Sequence, residues 1–76
     1  MIVTLSELAG GGSEAMLMKW FAENGDLVKK DEPLYMIEYR KIASTVKSPA
    51  TGRFKKLASV GDSVKVGEAI AEITEE

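Results

Sequence analysis

Gly25-Asp26-Leu27-Val28-Lys29-Lys30-Asp31-Glu32-Pro33-Leu34-Tyr35-Met36-Ile37 returns in altered form as Gly61-Asp62-Ser63-Val64-Lys65-Val66-Gly67-Glu68-Ala69-Ile70-Ala71-Glu72-Ile73. The copies stand 36 positions apart in a chain of 76, so the repeat is nearly half the molecule. Each opens on Gly-Asp, a tight-turn signal in which Gly supplies positive φ and Asp bonds to nearby backbone. A cation or phosphate site is the other reading of Gly-Asp, and recurrence at equivalent positions favours the turn. Val28 and Val64, Leu34 and Ile70, Ile37 and Ile73 are matching pairs and form the expected core. Neither half can hide its apolar face alone. Packing one against the other hides both, at roughly 1.5–3 kcal/mol for each aliphatic side chain fully buried.

Outside the copies, apolar residues also come in short runs broken by turn signals, without a sustained helical period. Strands are expected at Ile2 to Leu5, Ala15 to Phe21, Leu34 to Tyr39, Ile42 to Lys47, Arg53 to Leu57 and Ala69 to Thr74. Brief extended pieces fall around Leu27-Val28 and Ser63-Val64. Ser13 to Glu23 is rich in helix formers and could be read as a helix. A constant offset aligns Glu14–Phe21 with Ala50–Leu57, where Thr51, Gly52 and Phe54 suit a strand better, so strand is adopted. The fold class is all-β, a sandwich or barrel, in one domain over residues 1–76.

Composition narrows the function. Net charge is −2, and no basic stripe offers a footprint for nucleic acid. No apolar run is long enough to span a membrane as a helix. Cys and His are both absent, which removes the usual nucleophile–base pairs and the best zinc ligands. Catalysis by these residues alone is not expected. The absence of Cys fits a reducing compartment, the cytoplasm or, in a eukaryote, the mitochondrial matrix. Gly10-Gly11-Gly12-Ser13 lacks the Lys-Ser/Thr of a phosphate loop and reads as a mobile surface loop. Met16, Met18, Trp20 and Phe21 could form a binding face, but core packing of alternate residues is the expectation. Lys29-Lys30 and Lys55-Lys56 read as solvated turn and edge charges.

Lys41 stands apart. It lies in Glu38-Tyr39-Arg40-Lys41-Ile42, between the two copies, where a two-fold relation between the halves leaves a loop at one end and the chain termini at the other. A hairpin tip there holds a side chain clear of the body, a suitable place for covalent modification. No Gly or Asn marks the turn, and a type I turn centred on Arg40-Lys41 tolerates these residues.

The ordered set Glu14…Trp20, Gly25-Asp26…Val28…Asp31-Glu32-Pro33-Leu34, Glu38-Tyr39-Arg40-Lys41-Ile42, Ser48-Pro49-Ala50-Thr51-Gly52 and Gly61-Asp62…Val64…Gly67-Glu68…Ile70 resembles the biotinyl/lipoyl attachment-domain family. The likeness is greatest to the lipoyl domains of 2-oxo acid dehydrogenase acyltransferases. It implies a flattened barrel of two four-stranded antiparallel sheets related by a pseudo-two-fold axis, with lipoic acid in amide linkage on Lys41. Glu38, Tyr39, Arg40 and Ile42 are then the recognition residues around the attachment site. The implied role is a swinging-arm carrier, monomeric as an isolated domain. Its implied partners are a lipoate-attaching enzyme, a 2-oxo acid decarboxylase/dehydrogenase (E1), an acyltransferase core (E2) and dihydrolipoamide dehydrogenase (E3).

Ala15 replaces a Gly of the family pattern, Asp31 another, Ile42 an Ala, and Arg40 an Asp. Arg40 thus reverses the charge beside the lysine, which predicts a narrowed choice of partner. A biotin carrier would place Met on each side of the lysine, so biotin fits less well. A glycine-cleavage carrier resembles Glu38…Lys41…Ser44…Ser48-Pro49 but belongs to a longer family. An unmodified interaction module is the remaining alternative.

Overall fold

The computed structural model describes residues 1–5 and 12–75. Its eight strands are β1 (Ile2–Thr4), β2 (Glu14–Trp20), β3 (Leu27–Val28), β4 (Pro33–Tyr39), β5 (Ile42–Lys47), β6 (Gly52–Lys56), β7 (Ser63–Lys65) and β8 (Ala69–Thr74). Each expected strand is present, with ends shifted by at most a residue. They form two antiparallel four-stranded sheets, β1-β8-β6-β3 and β5-β4-β2-β7. Exchanging β1 with β5, β2 with β6, β3 with β7 and β4 with β8 turns one strand order into the other. That exchange is the pseudo-two-fold inferred from the repeat.

The six aliphatic residues read as core are all buried, and they share one cluster with Val3, Leu5, Leu17, Trp20, Tyr35 and Phe54. Alternation accounts for Ala71 with Ile73 on β8 and Tyr35 with Ile37 on β4, while Ile70 and Leu34 are buried beside them at the register irregularities near the start of each strand. Trp20 closes the core with tilted ring contacts to Tyr35 and Phe54 at 5.5 and 5.1 Å between centroids. Its indole Nε1 donates to the Ala58 carbonyl at 3.1 Å.

The repeated Gly-Asp pairs are turn staples. Asp26 Oδ2 accepts from the Glu23 amide and Asp62 Oδ2 from the Ser59 amide, both at 2.9 Å. Gly25 and Gly61 both have positive φ, at 89° and 95°. Downstream, Glu32 and Glu68 carboxylates accept from the Lys29 and Lys65 amides. Asp31, at φ 73°, occupies the left-handed position that Gly67 holds at 87° in the other copy.

Three expectations need correction. The constant offset fails in the first half of β2, because the Gly25 amide bonds to the Phe54 carbonyl while the Gly61 amide bonds to the Leu17 carbonyl. Leu17 is therefore the counterpart of Phe54, 37 positions on, and an irregularity between Leu17 and Lys19 absorbs the extra residue. That bulge also changes which side chains point inward. Ala15, Leu17 and Trp20 are buried, whereas Met16, Met18 and Phe21 are exposed, so of that apolar stretch only Trp20 packs as expected. Lys55-Lys56 does not lie on an edge strand, since β6 pairs with both β8 and β3. Lys56 is half-buried and bonded to Glu23 at 3.0 Å.

Candidate functional site

β4 and β5 pair in register up to Tyr39 opposite Ile42, which leaves only Arg40 and Lys41 to turn the chain. Both have positive φ, 51° and 64°. Two left-handed central residues define a type I′ turn, which corrects the type I expected from composition. The reason lies in the flanking strands: the twist of a type I′ turn matches theirs, and a type I turn would splay them. Side chains at such φ cost roughly 1–2 kcal/mol each, so strand pairing imposes a conformation that neither residue prefers.

This geometry presents the lysine. Lys41 is exposed, and its Nζ makes no hydrogen bond or ion pair among the described residues. Arg40 is also exposed, with its guanidinium carbon 5.1 Å from the centroid of the Tyr39 ring. Tyr39 is half-buried and packs on the core cluster, tying the base of the turn to the protein body. Ile42 is 67% exposed although it faces the same side as Tyr39, because it lies at the end of β5 beyond the core. Glu38 is half-buried between Ala43 on β5 and Met16 on β2.

Gly12 belongs to this site and was missed. A Cβ on Gly12 would overlap the outer edge of the Tyr39 ring, so any other residue there would have to push the ring aside. No local sequence signal gives that contact away, because it joins the segment just before β2 to the end of β4. Gly10 and Gly11, the rest of the expected mobile loop, lie outside the described residues. Ser13 continues the same end of the molecule, its carbonyl accepting from the Val66 amide at 2.9 Å. Leu5 and Gly67 bond there too, while the Met1 ammonium lies at the opposite end on the Ile73 carbonyl. Lys41 and the first residue are thus at opposite ends, as the repeat implied.

Comparison with known proteins bears on the family and the fold. A family model described as "Biotin-requiring enzyme" matches residues 3–73. The dihydrolipoyllysine-residue succinyltransferase component of the 2-oxoglutarate dehydrogenase complex of Rickettsia conorii is 42% identical over 64 residues, 83% of this chain and 16% of that protein. The acetyltransferase component of the pyruvate dehydrogenase complex of Corynebacterium glutamicum is 35% identical over 72 residues, 93% of this chain and 11% of that protein. This chain therefore spans less than a fifth of the length of these relatives. The solution structure of the lipoyl domain of the Azotobacter vinelandii 2-oxoglutarate dehydrogenase complex superposes with a TM-score of 0.79 at 25% identity, covering 99% of this chain and 96% of that one.

Proposed function

Because the chain belongs to the biotinyl/lipoyl attachment family, we propose that Lys41 is its attachment residue and that lipoic acid is the group it carries. The observation that carries this reading is the free Lys41 amine on a two-residue turn. A group in amide linkage there has no neighbouring side chain to displace. Acylation removes the lysine charge and lengthens the side chain into an arm. When bound, lipoic acid supplies a dithiolane able to carry an acyl group and reducing equivalents by thiol–disulfide exchange.

The chain's own residues do the rest. The Tyr39 ring, fixed by the core below and Gly12 at its edge, anchors the turn, and the β4–β5 pairing keeps it extended. Tethering replaces free diffusion by a high effective concentration at each partner's active site. The domain is a carrier and not a catalyst. Its partners are a lipoate-attaching enzyme and the E1, E2 and E3 components of a 2-oxo acid dehydrogenase complex, met in the cytoplasm or mitochondrial matrix. As an isolated domain it is a monomer.

Intact-mass spectrometry after co-expression with a lipoyl-attaching or a biotin-attaching enzyme tests the assignment. A lipoyl adduct on the wild-type chain and none on Lys41→Ala is the expected result. A biotin adduct would make it a biotin carrier, and no adduct with either enzyme would leave an interaction module.

A further inference from the structure

The sheet that bears the lysine hairpin has methionines on its outer face. Leu17 and Ile37 are paired and buried, so their neighbours Met16 and Glu38, also paired, point outward. Met36, half-buried, follows on the same face, level with Thr45 on β5 and Lys19 on β2. Met18 is exposed in the bulge beside them. Ala43, opposite Glu38, and Thr45 are short and exposed, so the way from the hairpin along β5 to these thioethers is low.

The fold does not require methionine there. Leu17 answers Phe54 across the pseudo-two-fold, so Met16 answers Arg53, and the repeat makes Glu72 the counterpart of Met36. Arg53 and Glu72 lie on the outer face of the other sheet, since their neighbours Phe54 and Ile73 are paired and buried. The sheet with the hairpin is therefore apolar at two positions where the sheet with the chain termini is charged. Single exposed apolar residues need no explanation, but a cluster confined to the face beside Lys41 does.

Reach decides what covers it. A lysine acylated by an eight-carbon acid extends about 14 Å from its Cα, counting about a dozen bonds that each advance it about 1.2 Å. With about 3.3 Å per residue and about 4.8 Å between strands, the level of Met36 and Thr45 is about 13 Å from Lys41, and Met16 about 12 Å. One arm spans both distances. The Lys41 ammonium stays in water, whereas amide formation removes that charge and adds an apolar chain ending in two sulfurs. Methionine, unbranched and polarizable, packs well on such a shape.

We propose that Met16 and Met36, reached over Ala43 and Thr45, form a resting site for the lipoyl arm of Lys41, which holds the arm on the domain between visits to partners. This rests on the lipoyl-carrier reading. The face is open and shallow, so the arm is held part of the time and stays available. At a resting fraction of about two-thirds, removing the site raises the free fraction about threefold.

The experiment uses chain carrying 13C in its methionine methyls, unmodified and lipoylated, with the adduct verified by intact mass. Met1 lies at the opposite end from Lys41 and is the internal reference. Lipoylation is expected to shift the Met16 and Met36 methyl resonances and give them nuclear Overhauser contacts to the arm, with Met1 unmoved. Neutralising the lysine alone creates no such contacts. The double variant Met16→Arg, Met36→Glu copies the charged pair of the other sheet. It should keep the Trp20 melt, and a water-soluble phosphine should reduce its dithiolane about threefold faster than that of the wild-type chain. Lipoylated wild-type chain without Overhauser contacts to Met16 or Met36 overturns the proposal, as do equal reduction rates in the folded variant. If the variant melts early, the wild-type contacts decide alone. Absence of a lipoyl adduct is seen in the mass before any spectrum, and overturns the carrier reading together with this one.

Discussion

Replacing Arg40-Lys41 by Asn-Gly should stabilise the domain while abolishing its proposed attachment site. Both residues sit at positive φ, 51° and 64°, where Asn and Gly are the preferred pair of a type I′ turn. Relief of two left-handed side chains gains roughly 2–4 kcal/mol at most. Losing the Arg40–Tyr39 contact costs about 0.5–1 kcal/mol at an exposed site. The added Gly costs a further 0.5–1 kcal/mol or so through the freedom it gives the unfolded chain. The net gain is about 1–2 kcal/mol, and in a domain of this size each kcal/mol raises Tm by about 4–8 °C. Trp20 is the one tryptophan and is buried, so its fluorescence reports the melt directly. The rise should appear in both single variants, Arg40→Asn and Lys41→Gly, and be largest in the double. An unchanged or lower Tm in the double variant would show that no strain is stored at this turn and would refute the reasoning.

Other consequences follow from the same geometry. Asp31→Gly should raise Tm by a few degrees, whereas Gly67→Ala, the change in the opposite sense at the matching turn, should lower it by a similar amount; open space around Gly67 leaves only the backbone to decide. Ile37→Ala and Ile73→Ala each remove a buried aliphatic from a central strand and should cost about 2–4 kcal/mol, read by urea titration; a loss below half that in either would mean that the core assignment is wrong. Gly12→Ala should leave the global melt within a few degrees but shift the Tyr39 ring resonances and slow the proposed attachment at Lys41, because the new methyl displaces the ring edge. Unshifted Tyr39 resonances in that variant would disprove the contact.

Little of the site beyond Lys41 could be read as a geometry, although its residues could be read as a list. Glu38, Tyr39, Arg40 and Ile42 stood together in the chain, and the resemblance marked them as neighbours of the lysine. Their roles diverge in space. Tyr39 turns toward the core, Arg40 lies over its ring, Ile42 projects past the end of the sandwich, and Glu38 sits between two other strands. Gly12 had no signal at all, being 27 positions from Tyr39 with its role set by a contact across the fold.

By itself the sequence determined the things that depend on pattern. The doubled Gly-Asp turns, the three aliphatic pairs and the strand spacing sufficed for an all-β fold of two related halves, because turn chemistry and apolar runs act over a few residues. The placing of Lys41 at the seam came from the same source. The two sheets, each taking two strands from each half, were implied by the resemblance and are seen in the fold. Only the tertiary structure decided the bulge that lets Leu17 answer Phe54 and turns Met16 and Met18 outward. It also decided the left-handed conformation of Arg40 and Lys41, where pairing of Tyr39 with Ile42 and the twist of β4 and β5 outweigh what the two residues prefer locally. Local preferences are worth about 1 kcal/mol per residue, and a cooperative sheet can override them wherever its register demands it.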